Sequence, residues 1–95
     1  MDVTEFVLWK KDEDTYSGVA KYFGLNEYPC LIKRKNNSYE VIMKINNKWI
    51  KVGSFYKYKR PIRIRAEKEY WCLGEIRIGD DVFHVLDLGN RLRGI

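Results

Sequence analysis

The sequence predicts a mainly β domain: a small barrel or strongly curled antiparallel sheet of six to seven short strands, with one short helix near residues 17–24. Three observations carry this expectation. From Tyr28 onward apolar and polar residues alternate with period two, the pattern of half-buried strands. Short polar runs rich in Asn, Asp and Gly punctuate those strands at the close spacing typical of small barrels. The chain has 95 residues, enough for one core and not for two, so the strands must close on a single interior. No repeat, linker or low-complexity stretch divides it, and residues 1–95 read as one domain.

Thr4–Lys10 is rich in β-branched and aromatic residues and reads as the first strand, with Phe6 and Leu8 on one face and Val7 and Trp9 on the other. Lys11–Asp14 is a solvated turn. Ser17–Phe23 is read as a short helix, with Ser17 as N-cap, Gly24 just past the end, and Val19, Tyr22 and Phe23 on one stripe. Its rival is a strand, since Gly18 and the aromatics are poor helix formers. Pro29 opens a strand over Cys30–Lys35, and Asn36-Asn37 turns it.

Asn46-Asn47 suits the positive backbone angles of a two-residue hairpin between Tyr39–Ile45 and Lys48–Gly53. That loop pairs Ile45 with Lys48, Met43 with Ile50, Val41 with Val52 and Tyr39 with Ser54, an apolar face. It pairs Lys44 with Trp49, Ile42 with Lys51 and Glu40 with Gly53 on the other. Phe55–Lys59 continues as an extended or bulged segment. Arg60-Pro61 marks an edge or a new strand, in which Ile62, Ile64 and Ala66 face in while Arg63 and Arg65 face out. Tyr70–Ile78 and Val82–Leu88 form a second hairpin around Gly79–Asp81, with a loop of two to four residues. Gly89–Ile95 reads as a tail.

Charge is distributed unevenly. The net charge is +5, yet the 26 residues from Val41 to Ala66 hold eight cations and no acid, so the remainder is net negative. Interleaved with these cations are Trp49, Phe55, Tyr56 and Tyr58. Cations neutralise phosphates, and flat aromatics stack on unpaired bases, so this mixture points to RNA or single-stranded DNA. The candidate nucleic-acid-binding residues are Lys44, Trp49, Lys51, Lys57, Tyr58, Lys59, Arg60, Arg63 and Arg65. The competing reading makes them solvated strand faces, with lysines blunting sheet edges against aggregation.

The sequence carries no Gly-rich phosphate loop, no Gly-x-Ser-x-Gly elbow and no His-Glu-x-x-His, so no catalytic residue is assigned. His84, the single histidine, reads as structural. Only a two-residue Gly79-Asp80 loop would set it opposite Glu75, which could then orient it as an acid or base. One His and two distant Cys are too few for a zinc site, and no cofactor is implied. Cys30 and Cys72 read as buried thiols of a reducing cytosol, with a disulfide between them as the alternative. No apolar run is long enough to span a membrane, and the N-terminus lacks the pattern of a signal peptide. Absence of Gln, with abundant Lys, Glu, Ile and Tyr, leans towards a thermophilic source, while six Asn pull the other way.

The run Val82–Arg93 (VFHVLDLGNRLR) ends a strand in Gly89, Asn90 and Arg91. It resembles the closing strand of RelE/ParE-type toxins, small basic proteins directed at ribosomes or gyrase. The resemblance spans about a dozen residues and implies Arg91 and Arg77 as RNA contacts in a ribonuclease. Those toxins carry a helical hairpin early in the chain, where this sequence reads as strands. A further alternative is an interaction module whose basic stripe meets an acidic protein or a second copy, with Trp49, Tyr56 and Tyr58 as anchors.

Overall fold

A computed structural model describes residues 2–23, 26–64 and 68–95. Eight antiparallel strands, each paired with its neighbours in the chain, close into a barrel when the last meets the first. They are β1 (Val3–Asp12), β2 (Thr15–Tyr22), β3 (Asn26–Lys35), β4 (Ser38–Ile45), β5 (Lys48–Ile64), β6 (Lys68–Ile78), β7 (Asp81–Asp87) and β8 (Leu92–Gly94). Closure removes, over the height of the barrel, the unpaired edges that make open sheets prone to aggregation. An eight-stranded barrel is just wide enough for side chains to fill it. Here Phe6, Leu8, Tyr16, Ala20, Ile32, Val41, Met43, Phe55, Ile76 and Val85 do so. Phe6 meets Phe83 edge to face, with centroids 5.1 Å apart. Each of the larger side chains contributes about 1.5–3 kcal/mol of burial.

The expected helix at 17–24 is a strand as far as Tyr22; Phe23 follows in a turn with φ of 48°, and Gly24 lies outside the described residues. Alternation wins over the helical stripe because Tyr16 and Ala20 both point into the core. Gly18, between them, lets β1 approach. A Cβ there would stand 2.0 Å from the Val7 carbonyl oxygen. The described residues contain no helix, so the early helical hairpin of RelE/ParE-type toxins has no counterpart among them. The expected tail contains β8, which pairs Leu92 with Leu8 and with Asp87 and so seals the barrel. With it the strand count is eight rather than six or seven.

The first hairpin has the expected turn, with φ of 52° at Asn46 and 62° at Asn47. Ile45↔Lys48, Lys44↔Trp49, Met43↔Ile50 and Ile42↔Lys51 pair as the sequence predicts. Beyond them a bulge shifts the register by one, giving Val41↔Gly53, Glu40↔Ser54 and Tyr39↔Phe55. The expected core face is therefore only half right. Val41 and Met43 are fully buried, but Ile50 is 44% exposed. In the second hairpin the loop is Gly79-Asp80, and Glu75 does stand opposite His84.

β5 does not break at Pro61. It runs through 17 residues and outlasts β4, whose pairing with it ends at Tyr39↔Phe55. Past that point β5 pairs with β6 alone, at Tyr56↔Glu75 and Lys57↔Gly74 and then from Arg60↔Cys72 to Ile64↔Lys68. Pro61 thus sits where β5 has a neighbour on one side only, which spares it a ladder donor it lacks. The two strands leave the barrel as a ribbon. Ile62 and Ile64 do not join the core cluster. Ile64 instead lines an outer groove of about 480 Å³ beside Tyr70, Leu86, Leu88 and Ile95. Between ribbon and barrel lies a bulge at Tyr58–Lys59, facing the single Leu73 of β6. Gly74 follows with φ of 149°, a conformation that favours glycine, packed against the Phe55 ring.

Candidate nucleic-acid interface

The candidate residues fall into two groups. Lys44, Trp49 and Lys51 cluster at the start of β5, as the hairpin register predicts. Lys57, Tyr58, Lys59, Arg60 and Arg63 lie on its second half, about 30 Å further along at roughly 3.3 Å per residue. Arg65 lies outside the described residues. Lys51 pairs with Glu40 at 3.7 Å and Arg63 with Glu69 at 3.9 Å, which weakens both as free cations. Trp49 is 47% exposed, so the N-terminal strand does not cover it.

The second half of β5 and its partner β6 gather the richer chemistry: two cation–aromatic contacts cross between the strands and two lie within one strand. Lys59 Nζ lies 5.5 Å from the centroid of Trp71, and the Arg60 guanidinium carbon 4.6 Å from that of Tyr58. Lys68 stands over Tyr70 at 5.4 Å, and Arg77 over Tyr56 at 4.6 Å. Such contacts are worth about 0.5–1 kcal/mol each at exposed sites. Their larger effect is to hold flat rings upright while leaving surface open. Trp71 is 52% exposed and Tyr56 50%. The two sides of the ribbon differ. Lys59, Pro61, Arg63, Glu69 and Trp71 share one face by register; Arg60, Ile62, Tyr70 and Cys72 share the other.

Sequence reasoning missed Lys68, Tyr70 and Trp71 altogether, and linked Arg77 and Tyr56 to other readings. Its signal was the acid-free run, which ends at Glu67 and Glu69 although the surface continues across the strands. A search for aromatics one strand away from each cation would have found Trp71, and one for cation–aromatic pairs two residues apart on a strand would have found Lys68 with Tyr70.

On the outer wall Cys72 Sγ donates to the Gly74 carbonyl at 3.3 Å and lies 3.5 Å from Tyr58 Oη. Tyr58 Oη in turn lies 3.5 Å from His84 Nδ1. Burial, reinforced by the Cys72 contact, pushes the Tyr58 phenol up to about 12. Glu75 faces His84 in register, but its carboxylate accepts from Arg77, at 3.3 and 3.4 Å. That bond and the charge behind it push the Arg77 guanidinium further up. Hence Glu75 serves Arg77 rather than orienting the histidine. Arg91, the other residue drawn from the toxin resemblance, is exposed between β7 and β8.

Cys30 and Cys72 are both free and buried. Cys30 is in the barrel core, where burial pushes its thiol up to about 12. Among the described residues no group of three or more His, Cys, Asp or Glu could hold a metal ion, and no helix is long and apolar enough to cross a membrane. Comparison of the chain with protein-family models, curated proteins and solved structures returns no match.

Proposed function

We propose that the domain is a non-enzymatic nucleic-acid-binding module that takes single-stranded RNA or DNA along the β5–β6 ribbon. The observation that carries this reading is the density of cation–aromatic stacks on β5 and β6, with Lys59 on Trp71 on one face of the ribbon, Arg60 on Tyr58 and Lys68 on Tyr70 on the other, and Trp71 half open to solvent. The stacks of Lys59, Arg60 and Lys68 put a phosphate-binding charge beside a surface for a base, while the Arg77 charge is already paired with Glu75 at 3.3 Å. Lys44, Trp49 and Lys51 form a secondary contact at the far end of β5. The two free thiols fit a reducing, cytoplasmic setting.

The test is fluorescence anisotropy with labelled single-stranded oligonucleotides over a salt series. Binding is expected at low salt, weakening by about 0.7 log units per log unit of salt for each phosphate neutralised. Absence of binding to single-stranded RNA and DNA at low salt refutes the proposal.

A protein partner is the second reading, supported by the edge of β5 past Phe55, which no strand covers among the described residues. A partner strand with acidic side chains could add there. Sedimentation of the protein alone and after pull-down separates a second copy from a different chain.

A further inference from the structure

Resting on that reading, we infer a base-discriminating pocket at the fork where β5 parts from β4. The cavity there is about 310 Å³. Phe55 forms its buried floor, while Tyr39 and Tyr56 contribute aromatic walls. The Tyr39 and Phe55 rings meet edge to face at 5.7 Å, which fixes the floor rigidly. Polar groups converge on the same space from Asn37, Ser38 and Ser54, and Lys57 adds a cation at the rim. Ser38 Oγ donates to the Lys35 carbonyl at 3.4 Å, leaving its lone pairs to accept. The Ser54 hydroxyl has no hydrogen-bond partner among the described residues. An apolar cavity with a few placed donors and acceptors is the usual form of a small-ligand site.

The ligand that fits this chemistry is one unpaired nucleobase of the bound strand. An unpaired base offers a π-face to the tyrosines and free hydrogen-bonding edges to Asn37 and Ser54. Electrostatics fixes how the strand passes. On one flank Tyr39 Oη donates to Asp14 at 3.5 Å, and the cations there are already engaged, Arg34 with Asp14 at 3.7 Å and Lys57 with the Glu13 carbonyl at 3.3 Å. On the other, Arg77 is stacked on Tyr56. The backbone therefore runs on the Arg77 side, in line with the ribbon, and the base turns inward. The ribbon supplies affinity for any sequence, and the pocket supplies preference among bases.

The experiment compares binding of homopolymeric oligo-dA, oligo-dC and oligo-dT, each over a salt series, to the full chain and to the double variant Asn37→Ala/Ser54→Ala. The full chain is expected to prefer one base. The variant should lose that preference, by about fivefold for each hydrogen bond removed, with the salt slope unchanged. Tyr56→Leu, which keeps the polar groups, should weaken all three oligonucleotides alike. Equal binding of the three by the full chain, or a preference that survives the double variant, overturns the pocket while leaving the ribbon in place. No binding to any of them overturns both.

Discussion

Lys59 on β5 stands over the indole of Trp71 on β6, its Nζ 5.5 Å from the ring centroid. The pair joins a cation of the acid-free run to an aromatic beyond it. It also separates two contributions that binding measurements can resolve. Trp71→Ala should remove a stacking surface, costing about 1–3 kcal/mol of single-strand affinity at any salt. Lys59→Ala should lower the salt slope by about 0.7. Anisotropy titrations at several salt concentrations check both. A slope that falls with Trp71→Ala and holds with Lys59→Ala would reverse the assignment.

Met43 and Ile50 face each other across the first hairpin, yet only Met43 is sealed from water. Met43→Ala should therefore cost about 2–5 kcal/mol, as large-to-small core changes do. Ile50→Ala should cost under about 1 kcal/mol by comparison. Urea denaturation of the two variants settles the contrast.

Gly18 has no room for a side chain, since its Cβ would overlap the backbone of β1. Backbone cannot move aside as a flexible side chain can. Gly18→Ala is expected to destabilise by about 3 kcal/mol or more, read as a collapse of the thermal midpoint.

Alkaline pH should loosen the fold. The Cys30 thiol and Tyr58 phenol are both pushed up to about 12, from ordinary values of 9.0 and 10.0. A raised value means the folded state holds its proton more tightly than the unfolded chain. The stability this gives is fully present below pH 9.0 and is lost as pH rises through about 12. Urea midpoints should fall over that range. Cys30→Ala should shallow the decline while costing stability at neutral pH. A decline as steep as before in that variant would exclude Cys30 as a cause.

Much of the barrel was legible in the sequence because alternation and turn chemistry are local. Asn46-Asn47 alone determined four correct pairs, and the register failed only where Val52 bulges. The helix expected at Ser17 failed because a segment so short satisfies both periods. What decides between them is the contact of Gly18 with β1, a tertiary fact. β8 escaped because three residues carry no readable pattern. The interface was half legible. Cations of β5 announce themselves, but Trp71 and Tyr70 join them only through the β5–β6 pairing. No Gly, Pro, Asn or Asp between Ile64 and Lys68 signals in the sequence that a new strand begins at Lys68.

Leu73 acts as a phase shift. Below it the even residues of β6, Gly74 and Ile76, point into the barrel, whereas above it Cys72 pairs with Leu86 on the outer wall. Side chains alternate strictly along a strand, so one unmatched residue exchanges the two faces of everything beyond it. Barrel and ribbon can thus follow opposite parity within one continuous strand. Deleting Leu73 would leave those faces as they are, because Cys72 and Gly74 would become neighbours that already point opposite ways, and Trp71 would stay on the face of Lys59. What would be lost is the bend and added twist that a bulge gives β6 where barrel passes into ribbon.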